Sequence, residues 1–133
     1  TGAVDWAGVL VAGLAGDLDA TFTALCAAAV WVVLVTGRFL AAVFEGALQS
    51  ELFEMGGTDI KVRAQAYQQH ISGAEHRDFI HVQLRILSGR NLAQKQYLSQ
   101  CVLEQLLQLD LKSCSHTVEV IDIDRASYAK KVS

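Results

Sequence analysis

Two stretches of the chain carry the same order of apolar and polar positions. Val30–Ala41 (VWVVLVTGRFLA) and Val82–Ala93 (VQLRILSGRNLA) each run from an aliphatic segment into a Gly-Arg pair and then into Leu and Ala. Gly37 matches Gly89, Arg38 matches Arg90, Leu40 matches Leu92, and Ala41 matches Ala93; Thr36 pairs with Ser88, and Leu34–Val35 with Ile86–Leu87. Such internal repetition marks a supersecondary unit used twice. A helical pattern follows each copy. Leu40, Val43, Phe44, Ala47 and Leu48 fall at the i, i+3, i+4 spacing that builds one apolar face, and so do Leu98, Cys101, Val102, Leu106 and Leu109.

A strand pattern follows each helix. Ile60, Val62, Ala64 and Ala66 alternate with Lys61, Arg63, Gln65 and Tyr67, which predicts a strand with one buried face. The last strand is expected over Thr117–Asp124, with its alternation slipping at Val120–Ile121, where a bulge would fit. Between the units, 79–87 (FIHVQLRIL) predicts a strand that buries Ile80, Val82, Leu84 and Ile86 and turns His81, Gln83 and Arg85 the other way. Gly56–Gly57 are expected to end the first helix. The polar stretch His70–Asp78 is the connector between units.

The fold class is therefore α/β (α+β). It consists of two βαβ units, four strands and two helices in all, with parallel pairing inside each unit. Residues 30–133 carry this pattern. Residues 1–29 stand outside it, either as an atypical N-terminal extension or as an altered first strand over Ala3–Ala12 followed by a turn at Gly13–Gly16.

Composition narrows the functional classes. The 133 residues suit one core. The hydrophobic fraction of 52 % exceeds what a lone monomer needs, which points to subunit burial or one very apolar segment. A net charge of −3 with no basic block argues against a sequence-independent nucleic-acid partner. Ala20–Gly37 holds no charged residue and reaches the lower length limit of a membrane span, so a membrane-anchored small protein using Ala20–Thr36 stays an alternative; its alanine-rich first half and β-branched second half suggest instead a helix running into a buried strand, and no membrane partner is expected on that reading. The three cysteines, Cys26, Cys101 and Cys114, show no C-x-x-C spacing and read as reduced thiols of a cytoplasmic protein. His70, His76, His81 and His116 lack metal-ligand spacing, so no metal is expected. His81 reads as a hydrogen-bonded structural residue. Asp122 and Asp124 share a strand face as a solvated edge or an ion pair, and Cys114 beside His116 reads as a loop coincidence.

The Gly-Arg turns are the chemically distinctive feature. Each closes a strand and opens a helix, where free N–H groups and the dipole favour anions, and an arginine adds a planar fork for carboxylates. The residues around the second turn also carry a resemblance. Asp59-Ile-Lys-Val-Arg63, Phe79-Ile-His-Val-Gln-Leu-Arg85, Ser88-Gly-Arg-Asn-Leu92 and the ending Glu119-Val-Ile-Asp-Ile-Asp-Arg-Ala-Ser-Tyr128 are together similar to the 5-carboxymethyl-2-hydroxymuconate isomerase family of the tautomerase superfamily, over about Phe39 to Lys131. The resemblance implies a homotrimer of four-stranded subunits and an isomerase of aromatic catabolism that needs no cofactor. It moves a proton on a small unsaturated 2-hydroxy or 2-oxo carboxylate, by keto-enol or 1,3-allylic transfer.

It also implies site residues. Arg90, Arg63, Lys61 and Phe79 are the positions that match the family's substrate-binding residues, with lysine at 61 keeping the charge but not the fork. The family's base is an amino-terminal proline, and this sequence contains no proline. In one reading residues 1–29 precede the usual first strand, and the chain is an inactive scaffold or a carboxylate-binding protein. In another, Ala3–Ala12 is the first strand and the Thr1 amine, with a reference pKa of roughly 7.7–8.0, takes the base's place. A third takes the Ala/Gly/Val-rich first 38 or so residues as a frame-altered stretch of an ordinary member.

Overall fold

A computed structural model describes residues 37–64, 78–111, 114–131 and 133. Its elements are a helix α1 over 37–49, a strand β1 (Asp78–Leu87), a helix α2 (Leu92–Leu107) and a strand β2 (Cys114–Ile123). β1 and β2 pair in parallel, with α2 as the connection between them. The second βαβ unit thus stands as the periodicity predicts. Of the first unit, the strand expected before Gly37 and the stretch from Gln65 lie outside the described residues. So do Thr1, His70, His76 and the apolar run Ala20–Thr36. Among the described residues the sheet has two strands.

β1 forms because β-branched and aliphatic residues occupy every second position. Ile80, Val82, Leu84 and Ile86 are each at most 1 % exposed. In the register, Val82 faces Val118, Leu84 faces Val120 and Ile86 faces Asp122, so those β2 residues share the core-facing side. The pairing runs unbroken from Asp78↔Cys114 to Leu87↔Ile123. The slip at Val120–Ile121, where a bulge was possible, is therefore no bulge. Alternation slips there because the core side ends: Asp122 follows Val120 on that side at the sheet's margin, where its carboxylate takes a 2.8 Å ion pair from Lys95 of α2. β2 also begins earlier than Thr117, so Cys114 and His116 belong to a strand and not to a loop.

Both helices contribute to one core with the sheet. From α2, Leu98, Val102 and Leu106 are fully buried, as their spacing predicts, and Cys101 is buried beside them. On α1 the buried line is Phe39, Val43 and Ala47, with Ala42 and Ser50 at its flanks, while Leu40 is only half-buried. The face is rotated towards Phe39, which is 1 % exposed. The helices meet backbone to backbone at Gly46: a Cβ there would lie 2.5 Å from Val102 Cα.

α1 ends at residue 49, ahead of Gly56–Gly57. The Ser50 and Glu51 amides donate to the Ala47 and Leu48 carbonyls, and Glu51 adopts φ 57°, the left-handed conformation that usually takes glycine. Gly56 and Gly57, at φ 85° and 70°, instead form the next turn, where Gly57 N–H donates to Glu54 O at 2.8 Å. Residues 60–64 then alternate between inward and exposed positions without ladder pairing to a described strand. Among the described residues no helix is long and apolar enough to cross a membrane.

Candidate functional site

Parallel strands place their C-terminal ends together, and in α/β folds ligands bind there, where the next helix begins. In this chain that place is Leu87–Asn91 and Ile123–Arg125. Ser88 N–H donates to Ile123 O at 3.0 Å and holds the two strand ends in register. Gly89 has φ 121°, a conformation open to glycine and strained for any side chain. The strand can then turn sharply into Arg90 and the helix cap.

α2 starts with a capping box. Asn91 Oδ1 accepts the Gln94 amide at 2.9 Å, and Gln94 Oε1 accepts the Asn91 amide at 2.9 Å. The first turn carries no acidic residue. The two Gly-Arg copies differ here. Gly89 and Arg90 precede the cap, whereas Gly37 and Arg38 already lie inside α1.

Arg90 is half-buried and crosses to another segment. Its Nη2 donates to Leu52 O at 3.0 Å and its Nη1 to Leu87 O at 3.4 Å. It thus ties the turn after α1 to the end of β1. Arg125, just beyond β2, donates from both Nε (3.2 Å) and Nη2 (3.1 Å) to Ser88 O. Asp124 does not pair with these cations: its Oδ1 accepts the Ala126 amide at 3.1 Å, and its backbone carbonyl accepts the Ser127 hydroxyl. Hydrogen bonds from Ser127 and Ala126 hold the Asp124 carboxyl below the usual carboxylate range.

The other expected site residues lie elsewhere. Lys61 and Arg63 are exposed on the segment after the Gly56–Gly57 turn. Asp59, at the head of that segment, is 4 % exposed; its Oδ1 accepts the Glu54 amide at 3.1 Å, and its Oδ2 has no partner among the described residues. Phe79 is half-buried at the start of β1, the opposite end of the strand from Arg90.

Phe79 shares the side of the sheet turned away from α1 and α2 with a polar cluster. There His81 Nδ1 lies 2.7 Å from Thr117 Oγ1, and Nε2 lies 3.0 Å from Glu119 Oε1, which also accepts Gln83 Nε2 at 2.8 Å. His81 is thus the hydrogen-bonded structural residue expected. The Gln83 and His81 hydrogen bonds hold the Glu119 carboxyl below its usual range. Among the described residues no group of histidine, cysteine or carboxylate side chains is arranged to hold a metal.

Arg125 and the capping box are not among the residues the sequence pattern singles out. The box was readable as Asn-x-x-Gln ahead of an apolar face. Arg125 carried no signal of its own, because its partner, the Ser88 carbonyl, is distant in sequence.

No protein-family model matches this sequence, and no curated protein does. Solved structures match along nearly all of it. The structure of Pt0534 inactivated by 2-oxo-3-pentynoate superposes with a TM-score of 0.64 at 9 % identity, covering 94 % of this chain and 91 % of that one. A fused 4-OT described as a wild-type symmetric trimer gives 0.60 at 15 %, covering 95 % and 93 %. A 5-carboxymethyl-2-hydroxymuconate isomerase from Deinococcus radiodurans R1 gives 0.56 at 16 %, covering 98 % and 91 %. These neighbours are tautomerase-superfamily structures. The fold of this chain is therefore tautomerase-like. At such identities the likeness is one of fold alone, since one fold hosts many chemistries.

Proposed function

We propose that this chain is an isomerase of the 5-carboxymethyl-2-hydroxymuconate isomerase type, working as a cytoplasmic homotrimer. Its substrate is a small unsaturated 2-hydroxy or 2-oxo carboxylate, and its reaction is proton transfer between the keto and enol forms or across an allylic system. Arg90, Arg63 and Lys61 supply positive charge for the substrate's carboxylate and for the enolate that develops as the proton leaves. Phe79 contributes an apolar wall. The observation that carries this reading is the tautomerase-like fold, with a guanidinium at the turn between a parallel strand and its helix.

A second reading is a carboxylate-binding scaffold without turnover. It is favoured by the lack of any proline to act as base. An ultraviolet assay with 2-hydroxymuconate, run beside a binding titration with the same compound, separates the two. Turnover above buffer supports the isomerase. Saturable binding without turnover supports the scaffold. Absence of both removes the carboxylate site altogether.

A further inference from the structure

Two guanidinium groups sit on successive carbonyls at the C-terminal end of β1. Arg90 reaches Leu87 O, and Arg125 reaches Ser88 O. They use different edges. A guanidinium has a side edge, formed by Nε and one terminal nitrogen, and an end edge formed by the two terminal nitrogens. Arg90 has both terminal nitrogens on carbonyls, one from Leu52 and one from Leu87. Arg125 places its side edge on a single oxygen, that of Ser88. Its end edge, with the Nη1 hydrogens and the second hydrogen of Nη2, is turned away from that carbonyl. That edge is the one that takes a planar carboxylate through two parallel N–H···O bonds.

Nothing among the described residues competes for it. The nearest acids in sequence are occupied: Asp122 pairs with Lys95, and Asp124 accepts the Ala126 amide. A Cβ on Gly89 would lie 3.9 Å from Arg125 Nη2, so the guanidinium stands close against the Gly-Arg turn. From this geometry we infer that Arg125 is the bidentate carboxylate-binding residue of this site. Arg90 holds the turn in place and adds its charge. The inference rests on the proposed carboxylate chemistry and deepens it by assigning the fork to a residue of the C-terminal tail. The Ser88 bond also orients the side chain before the ligand arrives, which lowers the ordering cost of binding.

The test is a titration of the full chain with 2-hydroxymuconate, followed by amide chemical shifts, for wild type, Arg125→Ala and Arg125→Lys. Arg125→Ala is expected to weaken binding about tenfold or more, the scale of one lost charge-assisted contact. Arg125→Lys restores the charge but not the fork and is expected to remain roughly fivefold weaker than wild type. Thermal midpoints of the three proteins verify that each is folded; a merely structural arginine would change the midpoint and leave the affinity of the folded protein intact. Affinities within about twofold of wild type for Arg125→Ala would overturn the inference while leaving the proposed function standing. Equal affinity of Arg125→Lys and wild type would overturn the bidentate role. A wild-type protein that does not bind the probe removes the proposed function, and the inference with it.

Discussion

His116 shows how one residue's place in a strand sets its chemistry. In β2 it lies opposite Ile80, on the core-facing side, and its Nε2 is buried with no hydrogen-bond partner among the described residues. Burial disfavours the imidazolium and lowers the His116 pKa below its usual value of 6.5, a shift that a hydrogen bond with the Cys114 backbone only partly offsets. The sign follows from linkage. With the folded pKa depressed, the unfolded chain binds more protons as pH drops below about 6.5, so stability falls between there and the lowered folded value. Urea unfolding at pH 7.5 and 5.5 should show this loss, and His116→Gln should reduce it. Equal pH dependence in the two proteins would show that His116 is not its source.

A second residue-scale prediction concerns Gly46. Its hydrogen occupies the point where the helix backbones touch, and any Cβ would meet Val102 Cα, Val102 N and Cys101 O. Backbone atoms cannot swing aside as a side chain can. Gly46→Ala should therefore cost about 1–3 kcal/mol in unfolding free energy, the range for overpacking a core, despite alanine's better helix propensity. Nothing in the sequence signals this contact. A glycine inside a helical pattern looks like a simple loss of propensity until the opposing helix is in view.

Among the elements, α2 is the most legible in sequence. Its face of Leu98, Cys101, Val102 and Leu106 is buried as the spacing predicts, and its capping box occupies the residues just after the Gly-Arg turn. Asn91→Ala removes the acceptor for the Gln94 amide and should cost roughly 1 kcal/mol, measurable as a lower urea midpoint with unchanged slope. α1 is less legible at its end. Glycine is the usual helix stop, and Gly56–Gly57 offered one. The helix ends earlier because Ser50 and Glu51 fold their amides back onto it and Glu51 accepts a positive φ. A local bonding pattern outweighed composition there. The apparent slip in β2 has the opposite lesson. Val120–Ile121 looks like a broken alternation, yet the register is continuous, because Ile121 shares the side turned away from α1 and α2 with Glu119 and Ile123, and Asp122 lies where the core gives way to solvent.

For the molecule as a whole, the surplus of apolar residues and the proposed trimer are open to one measurement. Sedimentation should give a single species of three times the 14.4 kDa chain mass; a monodisperse monomer would remove the trimer. One of the neighbours is itself described as a symmetric trimer. The core side of the sheet is closed by the two helices, whereas the side turned away from α1 and α2 presents Phe79, His81, Gln83, Glu119 and Ile121.

What the sequence determined by itself is periodic and local. Alternation along β1, the 3.6-residue face of α2, and the second Gly-Arg turn with β1 before it and α2 after it are each decided by neighbours a few positions apart. From these came the α/β class and the parallel unit. The tertiary structure decided what depends on groups far apart in the chain: the crossing at Gly46, the orphaned nitrogen of His116, and the partners of the arginines. Arg90 and Arg38 look alike in sequence. Only the fold places the Leu52 carbonyl against Arg90 and the Ser88 carbonyl against Arg125, because a guanidinium's role is set by which of its edges the surrounding backbone has already taken.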